Sequence, residues 1–288
     1  MYILIGLIPA LAWGVLPIIV TKVGGKPSSQ IVGTTIGTFL VSLVVWLFVR
    51  PAVTTPQFIF SMLSGASWAV AQFLQYTAFK RLSVSRAMPI STGLQLVGTS
   101  LLGVLVFGEW AGSARLITGF SALAIIIVGV IFTTIDSSTD ADKQSQSNPW
   151  ITVAIFAVST LGFVGYSAFP RLANVSGWQG FLPQGLGMAI MALILAVFAD
   201  GPQIFRVRET WLNLIGGFVF SIAALTYLIS AAHNGVATGF TLSQMNVVVS
   251  TLGGILILHE RRSRKGLIWT LIGLALVVTG GVMTGMMG

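Results

Sequence analysis

Polar side chains recur at helical spacing inside stretches that are otherwise apolar. Trp68, Gln72, Gln75, Tyr76 and Phe79 fall at i, i+4, i+7, i+8 and i+11, one stripe of a helix. Ser91, Gln95 and Thr99 recur every four residues, and Ser243, Asn246 and Ser250 at i, i+3 and i+7, with Gln244 beside them. Amides donate and accept at once, which suits the hydroxyls of a neutral, polyhydroxylated solute. Aromatic rings cover the apolar C–H faces of such a molecule, while a Tyr hydroxyl or Trp N–H keeps a polar handle. Trp13 and Trp68 fall mid-span, where an interfacial anchor has no role. The candidate substrate-binding residues are therefore Trp13, Trp68, Gln72, Gln75, Tyr76 and Gln95, then Tyr166, Gln184, Tyr227, Gln244 and Asn246. The bland alternative is that a membrane Gln or Asn only hydrogen-bonds the next helix.

Equally informative is the chemistry the chain lacks. No Asp, Glu, Lys or Arg lies in the middle of an apolar stretch, although ion, proton and phosphate sites in membranes are built from such charges. There is no cysteine, so disulfides, thiolate metal sites and cysteine nucleophiles are excluded. His233 and His259 are too few and too far apart for a zinc site on one helix. Gly-x-Ser-x-Gly, Walker and HExxH signatures are missing, so no catalytic residue, metal or cofactor is expected, and no nucleotide drives transport. Two acids, Glu109 and Glu260, end apolar stretches and are candidates for gating or proton coupling; ordinary surface pairing with Arg115 or Arg261 is the competing reading.

The elements that must position these residues are membrane helices. Charged residues make up only 8% of the 288 residues and hydrophobic ones 55%, with a mean hydropathy of +0.93. Soluble domains carry about 25% charge, so an ordinary soluble enzyme is excluded. The net charge of +8 sits in short loops, as on cytoplasmic faces, and does not call for nucleic acid. A span needs about 20 apolar residues. The charge-free stretches then predict an all-α integral membrane protein of about ten helices, the stretch Thr210–Leu258 supplying two around Ala232-His-Asn-Gly235. No charged segment or cleavage site flanks residues 3–20, which read as a first span and not a removable signal. Trp46, Trp110, Trp150, Trp178, Trp211 and Trp269, near span ends, read as an interfacial belt.

A polar segment, residues 136–149, divides the chain into halves of five helices, residues 1–135 and 150–288. A shift of 151 positions superposes Tyr76 on Tyr227, Gln95 on Asn246, Gly103 on Gly254 and Glu109 on Glu260. Five is odd, so two such copies must run in opposite senses across the bilayer, an inverted repeat with its substrate site at the interface. Lys22, Lys26, Lys80, Arg81, Arg86 and Lys143 lie in odd-numbered loops, as do Arg206, Arg208, Arg261, Arg262, Arg264 and Lys265. Even-numbered loops hold only Arg50, Arg115 and Arg171, which predicts cytoplasmic odd loops and both termini outside.

Several segments carry a resemblance. They are Pro9-Ala-Leu-Ala-Trp-Gly14, the run Lys22 to Gly37, Trp68-Ala-Val-Ala-Gln-Phe-Leu-Gln-Tyr76, Ser85 to Gln95 and Gly108-Glu109. In the second half they are Pro170 to Gly177, Leu182-Pro-Gln-Gly185 and His259-Glu260. The pattern resembles the ten-helix drug/metabolite transporter superfamily and is similar, more narrowly, to the bacterial glucose/ribose uptake porters. The resemblance implies uptake of a monosaccharide, glucose or ribose, across a bacterial plasma membrane, with proton symport as a family possibility. The alternatives are a transporter of another small neutral metabolite or amino acid, a non-transporting receptor or scaffold, and a lipid-modifying enzyme, for which no acid/base cluster exists.

Overall fold

The computed structural model describes residues 2–135, 149–260 and 262–285. The polar segment from Asp136 to Asn148, with Lys143, and Arg261 lie outside the described residues. Every regular element among the described residues is helical. The first half holds α1 (Tyr2–Val23), α2 (Pro27–Val49), α3 (Thr55–Arg81), α4 (Val84–Leu105) and α5 (Ser113–Thr134). The second holds α6 (Pro149–Leu172), α7 (Gly177–Asp200), a short α8 (Arg208–Leu212), α9 (Leu214–Asn234), α10 (Val236–Ser243), α11 (Asn246–Leu256) and α12 (Arg264–Gly285). Eight helical segments are long and apolar enough to cross a bilayer; α3 is longer and more polar, and α10 with α11 makes the remaining pass. Helices satisfy their backbone groups internally, the condition hydrocarbon imposes.

Local sequence fixes the ends. Thr54 and Ser176 form capping boxes with Gln57 and Gln179, starting α3 and α7 in the same way. Pro27 opens α2 where its missing N–H does no harm. One break was not expected: the pass carrying Ser243, Asn246 and Ser250 is not one helix. Met245 N–H donates to the Leu242 carbonyl and Val247 N–H to that of Gln244, a tightened turn between α10 and α11. The Ser243 hydroxyl donates back to the Phe240 carbonyl at 2.6 Å, a bond that bends helices. No proline marks the spot, so the sequence gives little warning.

Packing follows a pattern. α1 packs on α9 as α3 packs on α6, α2 on α9 as α3 on α7, and α1 on α11 as α4 on α6; α2 meets α7, α4 meets α11 and α5 meets α12. Exchanging α1, α2, α3, α4 and α5 with α6, α7, α9, α10–α11 and α12 leaves this set of neighbours unchanged. Glycine permits the closest approaches. A Cβ on Gly65 would overlap the Gln184 carbonyl of α7, and one on Gly217 the Thr34 carbonyl of α2.

The ends of the bundle differ. At the end where α5 stops and α6 starts, here the linker end, Gln30 donates to the Val20 carbonyl (3.0 Å) and Asn213 to that of Gly24 (3.2 Å). Lys26 pairs there with Asp200. The opposite, terminal end holds the connections at 50–54, 106–112 and 173–176. Trp110 departs from the interfacial belt: it is buried, its ring filling the space over Gly119 of α5.

Candidate functional site

Eight of the candidate residues converge on one central cavity. Trp13 comes from α1, Trp68, Gln72 and Gln75 from α3, Gln95 from α4 and Tyr166 from α6; Gln244 and Asn246 flank the break between α10 and α11. Both halves of the chain therefore contribute. The cavity as it stands holds only about 40 Å³, well below the roughly 300–1,000 Å³ usual for small-ligand sites, so a solute as large as a sugar has to part the side chains.

One wall is an amide relay. Gln72 donates to Gln75 at 2.9 Å, and both Gln75 and Gln95 donate to the Ser91 hydroxyl at 2.7 Å. The spacing from Gln72 to Gln75 brings both amides to one face of α3. The rest of the lining is largely aromatic: Trp68 lies 4.1 Å from Phe220 between ring centroids, and Trp13 6.0 Å from the same ring, nearly parallel to it. Five buried polar atoms lining this space make no hydrogen bond: Trp13 Nε1, Thr92 Oγ1, Tyr166 OH, Gln244 Oε1 and Asn246 Oδ1. Each such atom costs about 1–3 kcal/mol if left unsatisfied. They comprise donors and acceptors together, and no charged side chain lines the cavity.

Three candidates lie elsewhere. Tyr76 is fully buried behind the wall, its hydroxyl 3.2 Å from Thr34 of α2. Gln184 sits between α7 and α3, donating at 2.8 Å to Ser64, whose hydroxyl donates to the Tyr166 carbonyl. Tyr227 stacks on the back of Tyr166, ring centroids 5.5 Å apart. Sequence reasoning missed Leu16, Met88, Thr92, Phe163, Phe220 and Phe240 among the lining residues. Met88, Thr92 and Gln95 share a helical face at i, i+4 and i+7, a signal that finds Thr92; the Phe residues look like any membrane-core residue.

Glu109 and Glu260 lie at opposite ends of the bundle, away from the cavity. The Glu260 carboxylate accepts the backbone N–H groups of Val84 and Ser85, both at 2.8 Å, capping the start of α4 at the linker end. Arg262 reinforces this by donating to the Ser85 and Thr133 carbonyls. The Glu109 carboxylate lies beside Gly235, where α10 starts, at the terminal end; a Cβ there would come within 3.2 Å of it. Each acid thus meets the first turn of a helix from the other half, where the helix dipole favours negative charge. Glu260→Ala is expected to lower stability by about 1–2 kcal/mol, and Glu260→Gln, which still accepts, by less. Thermal unfolding of purified protein in detergent checks the order; equal melting of both variants and wild type contradicts it.

Membrane-length helices around a polar central cavity, to which both halves of the chain contribute, have the architecture of a membrane solute transporter. The chain belongs to the sugar transport protein family, whose model matches residues 4–287. It is 41% identical to the glucose uptake protein GlcU of Bacillus subtilis (strain 168), over 99% of this chain and 98% of the relative. It is 46% identical to the "Putative ribose uptake protein RbsU" of Latilactobacillus sakei subsp. sakei (strain 23K), over 98% and 97%. A solved structure only 18% identical shares the fold, with a TM-score of 0.68 over 99% of this chain and 96% of that one. The similarity to glucose/ribose uptake porters read from the sequence is therefore borne out, and the protein is a multi-pass protein of the bacterial plasma membrane.

Proposed function

We propose that this protein takes up a neutral monosaccharide of the glucose or ribose class by alternating access around the central cavity. The observation that carries the reading is the set of five unpaired donors and acceptors, from Trp13, Thr92, Tyr166, Gln244 and Asn246, in a cavity free of charge. A sugar hydroxyl both donates and accepts, so one ring can satisfy several of them, while Trp68 and Phe220 cover its C–H faces. An amino acid is a poorer fit, because its ammonium and carboxylate would enter with no opposite charge to meet them. Relatives named for glucose and for ribose uptake support the substrate class without separating the two sugars.

The two halves act in this scheme as an inverted repeat, which the exchange-invariant helix packing supports. The excess of Lys and Arg at the linker end supports a cytoplasmic linker end, with both chain termini outside. Glu260 and Glu109, at helix starts at the two ends of the bundle, are placed to act as gates.

The test is uptake of labelled glucose and ribose into proteoliposomes, with and without an inward proton gradient. Saturable uptake and counterflow of one sugar, competed by its unlabelled form, is expected. Folded protein that neither takes up nor exchanges either sugar overturns the reading. Accumulation that requires the gradient would assign proton symport and return Glu109 and Glu260 to that role.

A further inference from the structure

A second cavity opens at the terminal end, behind Tyr227. It holds about 680 Å³ of space free of protein atoms, counting its mouth, and is markedly roomier than the central one. Its polar lining is Ser167 and Arg171 from α6, Asn174 and Ser176 from the following turn, and Tyr227 from α9. Hydroxyl, amide and guanidinium groups are the equipment that binds sugar hydroxyls in an aqueous setting.

Stacked aromatic rings lie between the two linings. Tyr227 borders the second cavity; Tyr166 and Trp13 border the first. The Tyr227 ring stacks on Tyr166 at 5.5 Å and 21°, and lies 5.4 Å from Trp13. Its hydroxyl is buried, with Ser167 of α6 beside it. The position related to Tyr227 by the 151-residue shift is Tyr76. The Tyr76 hydroxyl is held by Thr34 of α2, and the connections beyond it are tied by Gln30, Asn213 and the Lys26–Asp200 pair. Gln179 ties the terminal end in turn by donating to the Ala52 carbonyl, but there the matching ring, Tyr227, fronts open space.

We propose that the second cavity is a vestibular monosaccharide site, from which sugar reaches the central cavity past Tyr227. This rests on the uptake reading and adds a second binding position, a route and a gate residue. In the opposite state of the cycle the Thr34–Tyr76 bond opens and the space in front of Tyr227 closes.

The absence of native cysteine allows a direct test. Two single-cysteine variants are made, Ala231→Cys in the vestibule wall and Thr92→Cys in the central cavity. Each is reacted with a membrane-impermeant thiol reagent, with and without saturating glucose or ribose. The Ala231→Cys thiol should react readily from the terminal end, and sugar should slow it at least fivefold. The Thr92→Cys thiol should react slowly, and adding Tyr227→Ala should speed it at least tenfold. Tyr227→Phe, which keeps the ring, should leave it shielded, and remains informative if Tyr227→Ala fails to fold. Sugar that protects Thr92→Cys but not Ala231→Cys overturns the vestibular site and leaves the central site standing. Tyr227→Ala folded but without effect on Thr92→Cys overturns the gate. Protection at neither position, with no counterflow, overturns the uptake reading and this proposal with it.

Discussion

Replacing Asn246 by alanine should cut sugar uptake at least tenfold while leaving the protein inserted and folded. Asn246 opens α11 at the break between α10 and α11, and its Oδ1 lines the cavity without a partner. An acceptor already unpaired gives up no protein hydrogen bond when removed, so stability changes little. The loss falls on the bound solute, where one polar contact is worth about 1–3 kcal/mol, or roughly tenfold to a hundredfold. Gln95→Ala should act in the same direction, with an added structural effect because Gln95 also donates to Ser91. Initial uptake rates in proteoliposomes, compared at equal amounts of monodisperse protein, decide the matter. Normal transport by both variants would remove these two residues from the site.

Gly65→Val should prevent the protein from reaching its folded state. A Cβ at Gly65 would run into the Gln184 carbonyl and come within 2.8 Å of the Met188 nitrogen. Both obstacles are backbone of α7, which cannot turn aside as a side chain can. Overpacking against movable neighbours costs about 1–3 kcal/mol, and a backbone obstacle lies beyond that range. The same helix pair carries Gln72 and Gln75 on α3, so spreading it would also open the amide wall. Gly216→Ala is the contrasting variant: its Cβ would meet the side-chain ends of Leu16 and Thr34 at 3.2 and 3.3 Å. Size-exclusion profiles and melting temperatures in detergent should show a near-normal Gly216→Ala and a collapsed yield of Gly65→Val. A monodisperse Gly65→Val melting like wild type would refute the close-approach argument.

Much of this was legible because hydrocarbon leaves the backbone few choices. Charge-free stretches of the right length became helices, and the caps at Thr54 and Ser176 lie where Ser/Thr-x-x-Gln spacing puts them. Polar residues in apolar helices stand out against their neighbours, which is why the stripe Trp68, Gln72 and Gln75 could be seen to face one way. What could not be seen is depth and direction around the bundle. Gln184 and Tyr76 are as polar as Gln72, yet they satisfy Ser64 and Thr34 between helices, and no local spacing separates a wall from a seam. The turn at Gln244–Met245 was hidden because Ser243 is compatible with either a straight or a bent helix. The apolar lining, from Leu16 to Phe240, carries no signal at all in a chain where such residues are everywhere.

The uncharged lining of the central cavity has a consequence for energetics across the living membrane. A potential of 100 mV does about 2.3 kcal/mol of work on each elementary charge that crosses it. The cavity carries no such charge, and the two repeat-matched acids lie at opposite ends of the bundle, outside the central cavity. Under the proposed alternating access, reorientation of the empty carrier around this site would carry no cavity charge through the field. Nor would reorientation with a neutral sugar aboard. The membrane voltage would favour neither direction, and sugar would flow down its own concentration gradient. Only a companion ion could make the voltage matter, and current measured during sugar exchange would count it directly.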